Sequence, residues 1–112
     1  MKETSQIEIF KEIYEERPHI SELSGERIEY QIDTPLWRSL FMHVLPKGRF
    51  PLLRTSKDNI LLGTPTEHTL IDNGTEEQRE EYRIEKLREG VVVRWSVFYN
   101  KQDKLKKQYP NV

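Results

Sequence analysis

His43, Asn59, His68 and Asp72, all in the middle of the chain, have types and spacings that suit chemistry at phosphorus. His68 and Asp72 are four residues apart, so on a helix they project from one face, one turn from each other. An imidazole and a carboxylate at that spacing can hold one divalent cation. His43 ends the run 41-FMH-43, and a neutral imidazole there could take a proton from a water that attacks phosphorus. Asn59 stands just before a second apolar run, 60-ILL-62. Between these two runs lie Lys47, Arg49 and Arg54, cations suited to phosphate oxygens, and Arg54 could clamp one in a bidentate way. Each residue alone has a plainer reading. A histidine among apolar neighbours is more often packed than catalytic, an asparagine before a strand is more often a turn residue, and Asp72 could be an ordinary exposed carboxylate.

The charge distribution favours a confined phosphate contact. The net charge is -1, which argues against a generic nucleic-acid binder. No acidic residue occurs between Asp33 and Asp58, whereas Arg38, Lys47, Arg49, Arg54 and Lys57 all fall there. The acids gather in the N-terminal segment and in 76-EEQREEYRIEKLRE-89. A solvated basic loop would give the same pattern.

The 112 residues are enough for one domain with a modest core. Two Trp, five Tyr and four Phe supply aromatic bulk for folding despite 33% charged residues. The chain has no cysteine, so disulfides and thiolate metal sites are excluded, in keeping with a cytoplasmic location. The segment 1-MKETSQIEIFKEIYEERP-18 is charged throughout and lacks the apolar stretch of a signal peptide. No run is long enough to span a membrane.

Residues 4–16 have helical spacing in Ile7, Phe10, Ile13 and Tyr14, with Thr4 or Ser5 as cap and Pro18 as stop. Ser24-Gly25 reads as a hairpin turn, and Ile28, Tyr30 and Ile32 alternate like a strand. The run 36–45 is either a strand or a short helix that becomes a strand near Phe41. A Pro- and Gly-punctuated loop, 46–51, follows. In 64-TPTEHTLIDNG-74, Thr64 is an N-cap, Pro65 the first helical position, Glu67 the capping-box partner and Gly74 the stop. Thr75 caps a second helix over 76–89, ended by Gly90. The β-branched and aromatic stretch 91-VVVRWSVFY-99 reads as a C-terminal strand, and 101–112 as a basic tail, frayed or mobile. His19, after Pro18, reads as structural, and Trp37 and Trp95 as core anchors.

The segment 43-HVLPKGRFPLLRTSKDNILLGTPTEHTLID-72 resembles the HNH (His-Asn-His) endonuclease family, most closely its compact phage- and prophage-associated members. The resemblance implies an α+β fold, a small single domain with a ββα-metal core of β-hairpin plus short helix over about 36–74. An N-terminal helix, a charged helix and a C-terminal strand would flank it. It further implies metal-dependent hydrolysis of DNA phosphodiester bonds. His43 would be the general base and Asn59 the brace of the hairpin loop. His68 and Asp72 would hold one divalent ion (Mg, Mn, Ni or Zn), and Lys47, Arg49 and Arg54 would touch flanking phosphates. Activity would fall on acidification, because the His43 ring must be neutral.

The family commonly places Asp or His directly before the first His, where this chain has Met42, a poor ligand for hard cations. The ion would then lean on substrate phosphate, water or another side chain. Many members also carry a CxxC knuckle, here 21-SELS-24, so no structural zinc is expected and hydroxyl hydrogen bonds must hold the turn. The alternative is a degenerate HNH domain that binds nucleic acid or a protein partner without cutting. A third class is an interaction module built on the helices at 4–16 and 76–89. A homodimer is compatible with any of these, and a membrane partner with none.

Overall fold

In the computed structural model, which describes residues 5–46 and 48–109, Ser5 caps helix α1 (Gln6–Glu16) by accepting the Glu8 N–H at 3.1 Å. The hydroxyl satisfies an amide that has no partner inside the helix. Ile9, Phe10, Ile13 and Tyr14 form the buried stripe, and Pro18 follows the last turn. His19 is structural as expected. It stacks on Tyr14 with ring centroids 3.8 Å apart, and its Nε2 lies 2.8 Å from the Tyr14 carbonyl.

Residues 20–34 depart from the strand expected at Ile28–Ile32. Among the described residues only one isolated bridge forms, Ile20 to Arg27. Ile28 enters the core, but Tyr30 and Ile32 are exposed. Tyr14 supplies the local partners, donating its hydroxyl to the Ile28 carbonyl and accepting the Tyr30 N–H. Alternating side chains make a strand only where a neighbouring chain offers a row of backbone partners, and none does here.

Thr34 caps a one-turn helix, α2 (Pro35–Arg38), which buries Trp37. The chain then enters β1 (Phe41–His43), so the helix-then-strand alternative for 36–45 is the one realised. Strand β1 pairs antiparallel with β2 (Ile60–Leu62) in the register Phe41–Leu62, Met42–Leu61 and His43–Ile60. The ribbon is covered on both faces. Phe41, Ile60 and Leu62 pack against the α1 stripe, with Phe10 stacked on Phe41 at 4.1 Å. Met42 and Leu61 pack on the other side with Leu23, Phe98 and Leu105. Double coverage explains why the strands read as continuous apolar runs. Truncating Leu62 to Ala in such a setting costs about 2–5 kcal/mol.

Helix α3 (Pro65–Asn73) begins with the expected capping box: Thr64 Oγ1 accepts the Glu67 N–H, and Glu67 Oε1 accepts the Thr64 N–H. Helix α4 (Glu76–Arg88) carries a second box on Thr75 and Gln78. Arg79 donates to the Leu70 and Gly74 carbonyls, closing the C-terminal end of α3 with a cation. The 21–24 turn is held by hydroxyl hydrogen bonds, as expected. Ser21 Oγ accepts the Leu23 and Ser24 N–H groups and donates to the buried Glu67 carboxylate.

The expected C-terminal strand is not formed. Residues 91–94 are irregular, and Trp95–Gln108 is helix α5. The basic segment expected to be a mobile tail is helical as far as Gln108, with Leu105 buried. Trp95, Phe98, Gln102, Leu105 and Tyr109 recur at intervals of three and four, a helical stripe that ends well beyond position 99. The β-branched propensity of 91–99 is overridden by this amphipathic continuation and by good helix formers in the tail. The described residues thus form a small α+β domain of five α-helices and one antiparallel hairpin. No helix among them is long and apolar enough to cross a membrane.

Candidate functional site

The main brace inside the hairpin loop is one buried side chain. Asn59 ends a 3-10 turn (Lys57–Asn59) just before β2 and is 1% exposed. Its Oδ1 accepts the Leu45 N–H at 2.7 Å, and its Nδ2 donates to the carbonyls of Leu45 at 3.1 Å and Leu53 at 3.3 Å. The Asn59 carbonyl accepts the Val44 N–H at 2.8 Å and extends the ladder past His43. From outside, Arg17 donates to the Ile60 and Lys57 carbonyls. Lys57 is engaged with α1 through Glu16 and Glu12, and the Glu16 hydrogen bond raises its pKa.

His43 faces the α1 side of the ribbon, half-buried, 6.1 Å from the Phe10 ring. Its Nε2 lies 2.9 Å from the Arg54 carbonyl oxygen and 3.4 Å from the Gln6 side-chain nitrogen. A carbonyl only accepts, so the shorter contact assigns the proton to Nε2 and the basic lone pair of the neutral ring to Nδ1. An amide nitrogen cannot then donate to Nε2. Turning the Gln6 carboxamide over puts its oxygen there and removes the conflict.

His68 is fixed by the same device. Its Nδ1 donates to the Ser39 carbonyl at 2.6 Å, and its Nε2 lies 2.9 Å from Asp72 Oδ2. With Nδ1 protonated, a neutral ring turns the Nε2 lone pair toward the carboxylate. A direct hydrogen bond there needs one more proton, on Nε2 or on the carboxyl; a cation shared by the two groups would take its place. One imidazole nitrogen and one carboxylate oxygen this close together are donor types that a divalent ion takes. A backbone carbonyl on the second ring nitrogen is also the usual support of a metal-binding histidine.

A cavity of about 670 Å³ has His43, His68 and Asp72 in its wall. Gln6 and Phe10 from α1, Arg38 from α2, and Tyr99 and Gln102 from α5 also line it. Three sequence-derived candidates therefore share one cavity, and Asn59 braces the loop beside it. Arg49 and Arg54 are exposed on that loop, and Lys47 lies outside the described residues. Among the described residues, no cluster of three or more His, Cys, Asp or Glu side chains could hold a metal ion. A cation at this site would have His68 and Asp72 as its protein ligands.

Met42 adds no side chain to the cavity. It is 1% exposed and packs on the face opposite His43, in the cluster with Leu61 and Phe98. A Cβ added to Gly63 would meet Met42 Cε at 2.5 Å and Glu67 Oε1 at 3.1 Å, so this corner has no spare volume. The residue is a core filler.

Sequence reading overlooked Arg38 and the α5 residues as parts of the site. Arg38 lines the cavity while its guanidinium donates to Asp33, at 2.9 Å from Nε. Its place at the start of the acid-free interval was the available signal. Gln102 donates to the Val44 carbonyl at 3.1 Å and closes the cavity from α5, which only the helical period of 95–109 could have announced.

The chain matches no protein-family model, no curated protein and no solved structure.

Proposed function

We propose that the protein is a metal-dependent endonuclease of the HNH type, with the β1–loop–β2–α3 unit as a ββα-metal core and DNA as substrate. The observation that carries the reading is the shared cavity of His43, His68 and Asp72, with each imidazole held by a backbone carbonyl through one nitrogen. In this reading His43 takes the proton of the attacking water on Nδ1, while its Nε2–H on the Arg54 carbonyl keeps the ring aimed. His68 Nε2 and Asp72 Oδ2 would hold one divalent ion, whose chemistry there would be charge stabilisation at the phosphate. Magnesium-type ions keep several waters and take few protein ligands plus substrate phosphate, so two protein ligands suffice. Arg38, in the cavity lining, would reach the phosphate by exchanging its Asp33 contact, and Arg49 and Arg54 would meet flanking phosphates without reading sequence.

The test is nicking of a supercoiled plasmid with Mg2+, Mn2+ or Ni2+ and its loss in chelator. A second reading, a degenerate HNH domain that binds without cutting, is favoured by one observation: Met42 fills the core where family members commonly carry a ligand. Duplex binding with no nicking under any of the three metals would select it.

A further inference from the structure

Leu52 is 90% exposed, more than any other large hydrophobic side chain among the described residues. It sits in the middle of a 3-10 turn (Pro51–Leu53) at the outer part of the hairpin loop. A lone exposed leucine needs no explanation on most surfaces. Three circumstances set this one apart.

Its neighbours are anchored: Phe50 and Leu53 are half-buried against the second core cluster, so the turn cannot fold Leu52 inward with them. Its loop is tied to the site, because the Leu53 carbonyl accepts from Asn59 and the Arg54 carbonyl accepts from the His43 ring. Its flanks are cationic: Arg49 and Arg54 are exposed, and no acid occurs between Asp33 and Asp58. A protein partner needs a contiguous apolar patch, whereas a base stack accepts one apolar wedge with cations on the adjoining phosphates.

We propose that Leu52 is a wedge that enters the base stack of duplex DNA, with Arg49 and Arg54 on the flanking phosphates. The inference rests on the reading of DNA as partner but not on cleavage. Insertion parts one base step and fixes the duplex at a set offset from His43, through the Leu52–Leu53–Arg54 segment. Positional preference then follows the ease of unstacking, highest at pyrimidine–purine steps such as TA and CA.

The experiment uses the metal-free full chain and duplexes carrying 2-aminopurine at a TA step. The wild type should raise the 2-aminopurine emission on binding. Leu52→Ala and Leu52→Ser should abolish that rise and weaken duplex binding about tenfold, with unchanged thermal stability. Binding by the wild type with no rise in emission overturns the wedge, as does an equal rise with Leu52→Ala. Binding confined to single strands, or a Leu52-dependent self-association with no duplex binding, overturns it too. If nicking persists in any of those cases, the nuclease reading stands without the wedge. If nicking is absent while the Leu52-dependent emission remains, the wedge stands and the nuclease reading falls.

Discussion

The Asn59 carboxamide satisfies both backbone groups of Leu45, accepting its N–H at 2.7 Å and donating to its carbonyl at 3.1 Å. One buried side chain thereby holds the hairpin loop shut fourteen residues away in sequence. Asn59→Ala leaves the Leu45 N–H and carbonyl without these partners in a dry site. It should lower stability by about 2–4 kcal/mol in urea unfolding. A change below about 0.5 kcal/mol would remove Asn59 as the brace.

Calorimetric titration with Mn2+ should give one site per chain in the wild type. His68→Ala should abolish the heat, and Asp72→Asn should weaken binding about tenfold or more. Undiminished binding in both variants would place the ion elsewhere. No binding by the wild type would leave His68 and Asp72 as an ion pair only.

Met42→Asp introduces the residue type that HNH proteins commonly carry, but in this fold it buries a carboxylate near Glu67. It should cost about 3 kcal/mol or more and give no gain in metal affinity. Met42→Leu should cost less than about 1.5 kcal/mol. A tighter metal site in Met42→Asp would mean that strand β1 can present position 42 to the cavity.

Stability should fall at alkaline pH. Burial raises the pKa of Tyr82, against an opposing hydrogen bond with Thr64, and the Glu26 hydrogen bond raises that of Lys86. Both groups bind their protons more tightly in the folded chain. Their contribution is complete below the ordinary values near pH 10 and is lost as pH rises through the folded ones. Urea midpoints measured from pH 7 to 11 should decline above about pH 10, with a shallower decline in Tyr82→Phe. An identical decline in Tyr82→Phe would mean that burial of this hydroxyl does not matter.

Legibility from sequence followed the range of the forces involved. Caps at Ser5, Thr64 and Thr75 are local hydrogen bonds between neighbours in the chain, and each helix start was readable from them. Strand β1 was ambiguous because both its faces are covered, which erases alternation. Ile28–Ile32 and 91–99 misled for a common reason: strand propensity is expressed only against a partner strand, and the hairpin offers none beyond β1 and β2. In the site, the His68–Asp72 spacing was visible because it is one helical turn. Arg38, Gln6 and Gln102 were not, since they reach the cavity through packing of three separate helices. The backbone carbonyls of Arg54 and Ser39, which fix the two imidazoles, leave no trace in residue type.

The central claim is that His43 removes the proton of the attacking water. Its most direct test is the rate of plasmid nicking at saturating Mn2+ by wild type and by His43→Ala, with folding checked by circular dichroism. The account predicts nicking by the wild type and a loss of about 100-fold or more in the variant. Equal rates would contradict it.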